Sequence, residues 1–142
     1  MHEFIATGFY VGRIGFAPGT LGTLLGIPIV YLFSFNRWTL VIALIGVFLI
    51  GLTTSKYVIE TKAQKDPEEV VIDEIAGYIA CFLLVEPSFK TYVLAFCLFR
   101  AVDILKPFPV NLFEQLPREY GVMLDDIAAG ILTSIVLFLL LK

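Results

Sequence analysis

Apolar residues fall in five long runs separated by short polar stretches. The runs predict five helices, roughly Thr20–Phe35, Arg37–Tyr57, Pro67–Glu86, Ser88–Lys106 and Val122–Leu141. Crossing a bilayer takes about 20 mostly apolar residues. The third run meets that length, at about 30 Å of helix. The first is the shortest and carries Pro28, which should kink it. Asn36 fits an N-cap for the second helix, with Trp38 at interface depth. Asp66-Pro67-Glu68-Glu69 gives the third an Asp cap, a proline at the first helical position and acids in the first turn. Pro107 and Pro109 stop the fourth. Phe4, Ile5, Phe9 and Tyr10 fit a short helix lying on a lipid surface.

Composition turns five apolar helices into five spans. The chain has 142 residues, enough for one domain over residues 1–142. It is 58% hydrophobic and 16% charged, with a mean hydropathy of +0.90. Soluble domains average about 45–50% apolar with glycine counted, and about 25% charged. So small a domain has too little interior to hide that excess. The expected class is an all-α, polytopic membrane protein with about five transmembrane helices. A net charge of −3 offers no basic field for a phosphodiester backbone, which excludes nucleic acid as a partner. Cys81 and Cys97 lie in apolar runs and read as small buried hydrophobes, not a disulfide framework. The only histidine is His2, so zinc sites built on histidine pairs lack their ligands. No basic segment precedes an early apolar run, so the first span is expected to stay in the protein.

Charge also predicts orientation. Arg13, Lys56, Lys62, Lys65, Arg100, Lys106 and Arg118 fall on the side of residues 1–19, the 58–70 loop and the 107–121 loop. Arg37, Lys90 and Lys142 fall on the other. The richer side is cytoplasmic by the positive-inside rule. The glycine-punctuated N-terminal segment (Gly8, Gly12, Gly15, Gly19, Gly22) would then lie on the cytoplasmic side and lead into a helix N-terminus that favours anions.

Five acids stand where acids are costly. Asp73 and Glu74 fall nearly two turns into the third predicted helix, Asp103 near the end of the fourth, and Asp125 and Asp126 in the first turn of the fifth. Ionisable residues in spans line polar cavities and find partners. The plainer reading is interfacial acids favoured by helix N-termini, but Asp103 lies near a C-terminus, where that sign is wrong. Arg100, Asp103 and Lys106 recur three apart and nearly share a face. They form either a salt-bridge ladder or an anion site, since Arg offers a planar fork and Lys a point charge. Five acids against two cations leave three negative charges, which repel an anion unless a divalent cation intervenes. Carboxylates without histidine or thiolate suit a hard cation, Mg²⁺ first. Two functions stay open on these grounds. One is phosphate-ester chemistry at a membrane surface; the other is a small membrane cation transporter using the Asp/Glu cluster. A weak echo, Asp73-Glu74-Ile75-Ala76-Gly77 against Asp125-Asp126-Ile127-Ala128-Ala129-Gly130, adds small residues that let helices approach closely.

Four blocks in order resemble the phosphatidylglycerophosphatase A family of small bacterial lipid phosphatases. They are Ala17-Pro18-Gly19-Thr20-Leu21-Gly22-Thr23, then Asp66-Pro67 through Val70-Val71-Ile72-Asp73-Glu74-Ile75-Ala76-Gly77, then Phe99-Arg100-Ala101-Val102-Asp103-Ile104-Leu105-Lys106-Pro107-Phe108-Pro109, and Gly121-Val122-Met123-Leu124-Asp125-Asp126 with Gly130. The resemblance implies Mg²⁺-dependent removal of the terminal phosphate of phosphatidylglycerophosphate, giving phosphatidylglycerol, at the cytoplasmic (inner) membrane of a bacterium. On that footing Asp73, Glu74 and Asp126 are expected to bind the metal, with Asp103 and Asp125 beside them in the catalytic group. Arg100 and Lys106 are expected to bind the lipid substrate's phosphate, with Thr20 and Thr23 as further candidates. Direct attack of water and an aspartyl-phosphate route both stay open. Glu119-Tyr120 stand before Gly121 where that family tends to have a glycine pair, which predicts a stiffer loop there, and Glu114 stands where an Asp is expected.

Overall fold

The computed structural model describes residues 1–13, 18–63, 70–113, 115–116 and 118–141. The Asp66–Glu69 helix start and position 114 lie outside the described residues. The protein is all-helical among those described. Its order is α1 (His2–Ala6), a 3₁₀ turn (Val11–Arg13), α2 (Pro18–Phe33), α3 (Arg37–Lys62), α4 (Ile72–Ala80), α5 (Phe89–Leu105), α6 (Val110–Phe113) and α7 (Arg118–Leu140).

Local chemistry sets both ends of α3 and of α5. Asn36 is extended and its side chain accepts from the Trp38 N–H at 2.8 Å, capping α3. Ser88 caps α5 reciprocally, accepting from the Thr91 N–H while the Thr91 hydroxyl accepts from the Ser88 N–H. Ala63 and Lys106 end α3 and α5 in the left-handed conformation.

Among the described residues two helices are long and apolar enough to cross a membrane, Arg37–Lys62 and Glu119–Leu140. The first is 26 residues, about 39 Å of helix. Their apolar stripes face outward. Trp38, Ile42, Ile45 and Leu49 follow one face of α3 and each is more than half exposed. Ile131, Ile135 and Phe138 follow one face of α7 and are each exposed, though less than half. In water such stripes would turn inward; facing out, they suit contact with lipid.

The third predicted helix is corrected by the structure. In place of one helix running to Glu86, α4 ends at Ala80 and covers only nine residues, all buried except Glu74. Its chain tightens after Ala80 through i→i+3 bonds from Cys81, Phe82 and Leu83. Beyond them the Leu84 N–H donates to Ser134 Oγ of α7 at 3.0 Å. Irregular backbone at membrane depth is tolerated where protein buries it and supplies partners. The hydropathy of Cys81–Val85 is that of a helix, and the acceptor that ends it comes from 50 positions away.

Two depths change with the boundaries. Asp73 and Glu74 lie in the first turn of α4, not two turns in, where the N-terminal dipole favours them. Asp125 and Asp126 lie about two turns into α7, not in its first turn, because the helix begins at Arg118. Glu119-Tyr120-Gly121 is therefore helix where a loop is expected.

Around α4 stand α2, α3, α5 and α7. Tyr78, Ile79, Phe99, Val30 and Leu137 form the core between them, each at 0% exposure. The Tyr78 hydroxyl donates to the Tyr92 carbonyl and ties α4 to α5. The expected N-terminal helix over Phe4–Tyr10 is only α1, since Phe9 and Tyr10 have positive φ and form a turn. α1 packs on α3, with His2 stacked on Tyr57. The Ala6 carbonyl accepts from the Val71 N–H, anchoring the entry to α4. Arg13 pairs with Glu3 at 2.8 Å and lies over the Tyr10 ring. The hydrogen bond from Arg13 holds the Glu3 carboxyl below the ordinary carboxylate value.

Candidate active site

The sequence echo between the third and fifth predicted helices is a crossing point. α4 and α7 meet at Gly77 and Gly130 with no side chain between them. A Cβ on Gly130 would collide with the Gly77 carbonyl oxygen, and one on Gly77 would lie 2.6 Å from the Asp126 carbonyl. Asp73 is one turn before Gly77, and Asp126 is one turn before Gly130. Parallel helices in contact at the glycines therefore bring the two acids together. Oxygens of Asp73, Asp125 and Asp126 lie within 4.8 Å of one another. A second group, Glu74, Asp103 and Asp126, meets the same limit.

Asp103 reaches the cluster from the last turn and a half of α5. It accepts from Arg100 Nη1 through Oδ2 and from Lys106 Nζ through Oδ1 at 3.4 Å. Lys106 is the C-cap of that helix, and its left-handed backbone turns the side chain across to α7. There Nζ donates to Asp125 Oδ2 at 2.9 Å and stands 3.9 Å from Asp126 Oδ1. One ammonium thus answers three carboxylates.

Within this cluster three carboxylate oxygens keep no hydrogen-bond partner among the described residues. They are Glu74 Oε2, Asp125 Oδ1 and Asp126 Oδ2, all buried. Asp125 and Asp126 are only 6% and 2% exposed. A buried charge costs several kcal/mol per ion unless something compensates it. Asp73 has part of its compensation, accepting from the Glu74 N–H at 3.0 Å. The donor set, all oxygen and no sulfur or imidazole, fits a hard divalent cation.

Arg100 lies against the start of α2. A Cβ on Gly19 would stand 3.0 Å from Arg100 Nη2. The guanidinium therefore rests between the α2 N-terminal turn and Asp103, and its buried Nε has no partner among the described residues. Thr20 is half-buried in that same turn. Thr23 is fully buried, and its hydroxyl donates to the Gly19 carbonyl at 2.8 Å inside the helix.

The structure thus brings Asp73, Glu74, Asp103, Asp125, Asp126, Arg100 and Lys106 to one end of the bundle, with Thr20 in the α2 turn beside Arg100. Thr23 turns its hydroxyl to its own backbone instead. The contact of Gly19 with Arg100 escapes a sequence reading, because glycine there reads as loop punctuation. Glu119, 8% exposed in the first turn of α7, is a further buried acid. Its only sequence signal is an acid just before an apolar run.

Relatives agree in length and differ in name. The chain is 36% identical to phosphatidylglycerophosphatase A of Haemophilus influenzae, over 96% of this chain and 86% of that one. It is 30% identical to phosphatidylglycerophosphatase A of Escherichia coli, over 96% and 81%. It is also 36% identical to a Bacteroides thetaiotaomicron protein provisionally named a phosphatidylinositol-3-phosphatase, over 94% and 89%. No solved structure matches it. The match to the family itself runs over residues 4–141, nearly end to end, and the chain belongs to the phosphatidylglycerophosphatase A family.

Proposed function

We propose that this chain is a single membrane-embedded lipid phosphatase domain that hydrolyses the terminal phosphate of phosphatidylglycerophosphate, leaving phosphatidylglycerol and inorganic phosphate. Family membership supplies the reaction class. The observation that carries the site is the meeting of five carboxylates with Arg100 and Lys106 at one end of the bundle.

Mg²⁺ fits the residues present, since Asp126 Oδ2 and Glu74 Oε2 are buried oxygens in need of a cation. Asp73, Glu74 and Asp126 would hold it, with Asp103 and Asp125 alongside. When bound, the ion neutralises the acids and polarises phosphate oxygens. Arg100 offers its buried Nε to the phosphate while Asp103 fixes the guanidinium plane. Lys106 adds a point charge on the opposite flank of Asp103. Thr20 stands in the α2 turn, whose N–H groups and dipole favour an anion. The bond from phosphorus to the glycerol oxygen breaks, a proton passes to that oxygen, and a water oxygen ends on phosphorus, either by direct attack or by hydrolysis of an aspartyl-phosphate.

Five spans, α2, α3, the α4 segment, α5 and α7, would cross the inner membrane of a bacterium. The ends that meet at the acids would face the cytoplasm with the glycine-rich N-terminal segment, in line with the seven basic residues on that side. The headgroup would enter there while the acyl chains stay in lipid. A cation path would instead need charges at mid-depth, and Ile75–Ala80 and Ala129–Leu140 carry none.

The test is phosphate release by the purified chain in mixed micelles, with Mg²⁺ or with EDTA, from phosphatidylglycerophosphate and in parallel from phosphatidylinositol 3-phosphate. Mg²⁺-dependent release from the first and little from the second is the expected result. Preference for the inositol lipid would transfer the substrate assignment to that headgroup. No release from either would overturn the reading.

A further inference from the structure

We propose that the acid cluster holds two divalent cations bridged by the Asp126 carboxylate, with Asp73 and Asp125 completing one position and Glu74 and Asp103 the other. The proposal rests on the metal-dependent reading above and goes beyond it in number and in ligand assignment.

The first support is geometric. The five acids form two groups, each with oxygens within 4.8 Å of one another, and Asp126 is the one residue common to both. α4 gives one acid to each group, Asp73 to the first and Glu74 to the second. Asp125 and Asp103 then divide between α7 and α5. Mg²⁺ keeps several waters and is usually bound through one or two carboxylates. Five carboxylates exceed what one such ion uses. In two-metal phosphoryl-transfer sites the ions stand about 3.5–4 Å apart, a spacing that one shared carboxylate spans.

The second support is the set of unpartnered oxygens. Each group has its own buried carboxylate oxygen without a partner among the described residues, Asp125 Oδ1 in the first and Glu74 Oε2 in the second. Asp126, only 2% exposed and with its own Oδ2 unpartnered, is common to both groups. A single ion would leave one of the outer pair buried and unanswered, at a cost of several kcal/mol. Lys106 does not fill either position alone. Its ammonium touches Asp125 and Asp103, one acid from each group, and stays 3.9 Å from Asp126. Each carboxylate oxygen has two lone pairs, so contact with lysine leaves room for a metal.

The third support is charge. Five carboxylates against Arg100 and Lys106 leave three negative charges. A phosphate monoester carries close to two negative charges near neutral pH. One divalent cation would leave the site at one negative charge and still repelling. Two would leave it at one positive charge, which attracts the headgroup.

Mn²⁺ in place of Mg²⁺ provides a readout separate from turnover. The full chain in detergent micelles is dialysed against Mn²⁺, bound ions are counted, and the electron paramagnetic resonance spectrum is recorded. Two Mn²⁺ per chain with a spin-coupled spectrum is the expected result. Asp103→Asn and Asp125→Asn should each lower the count to one and restore the six-line spectrum of an isolated ion. Glu74→Gln should repeat the Asp103→Asn result if that variant fails to fold by circular dichroism. One Mn²⁺ per wild-type chain with an isolated spectrum overturns the bridged pair and leaves the single-metal reading standing. No bound Mn²⁺ overturns both. A coupled pair that persists in all three variants overturns the ligand assignment.

Discussion

Lys106 Nζ lies 2.9 Å from Asp125 Oδ2, a contact that joins the end of α5 to the side of α7. The same nitrogen stands 3.4 Å from Asp103 Oδ1. It therefore serves a structural and an electrostatic role at once, holding two helices and offsetting charge in a cluster that has too little of it. Lys106→Met should destabilise the metal-free protein by about 2 kcal/mol, the scale of a hydrogen bond to a charged group. A divalent cation can neutralise the same acids, so the loss should shrink in Mg²⁺. Thermal unfolding in micelles, with EDTA and with Mg²⁺, reads both. An equal loss under the two conditions would separate Lys106 from the metal site.

Asp126 should trade stability against function. Its carboxylate is nearly fully buried beside Asp73, Asp103 and Asp125. Without a cation these like charges oppose folding, so Asp126→Asn should raise the unfolding temperature in EDTA. The variant should also lose the stabilisation by Mg²⁺ that wild type gains through binding. Turnover should fall about 100- to 1000-fold, the range seen when one essential electrostatic group is removed. An Asp126→Asn protein with wild-type turnover would take this residue out of the site.

The crossing of α4 and α7 tolerates no added atom. Gly130→Ala would drive a methyl into the Gly77 carbonyl, which is backbone and cannot swing aside. Overpacking of this kind costs about 1–3 kcal/mol, and it should separate Asp73 from Asp126 as well. Both stability and turnover should drop. Gly46→Ala is the contrast, since nothing lies within 4 Å of that Cβ in the middle of α3. It should be neutral or stabilising by up to about 1 kcal/mol, the difference in helix propensity. Unfolding temperatures of the two variants, measured side by side, check the argument. Equal behaviour would mean that the helices can part at no cost.

Much of this arrangement is legible in the residue pattern, and each failure has its own cause. The starts of α3 and α5 follow from Asn36 and Ser88 because a cap is a local hydrogen bond. The acids and the Arg100–Lys106 face are legible because charge in an apolar run is costly and calls for a reason. The end of α4 is not legible, because Ser134 supplies the acceptor for Leu84 from another helix. The start of α7 is missed because Glu119-Tyr120-Gly121 is too polar for an apolar run yet keeps helical geometry. The starts of α4 at Ile72 and of α7 at Arg118 shift the depth of the acids while leaving the right residues selected. The paired glycines show as a repeat of small residues, but only the crossing explains why the repeat includes an acid one turn earlier.

Gly19 should act on substrate binding through Arg100. The glycine leaves the guanidinium room to lie against the first turn of α2, with a Cβ position only 3.0 Å from Nη2. Gly19→Ala would push the fork off that turn without touching an acid. Arg100→Lys keeps the charge and removes the fork. Both variants should raise KM for phosphatidylglycerophosphate with a smaller change in kcat. A hydrogen bond to a charged group is worth about 1.5–3 kcal/mol, and each 1.4 kcal/mol is about tenfold. The expected loss in kcat/KM for Arg100→Lys is therefore about 10- to 100-fold, with Gly19→Ala at the low end. The unfolding temperature of Gly19→Ala should stay near wild type, because a flexible side chain and not backbone must yield. An unchanged KM in both variants would assign Arg100 to holding Asp103 in position and leave the phosphate to Lys106 and the α2 turn.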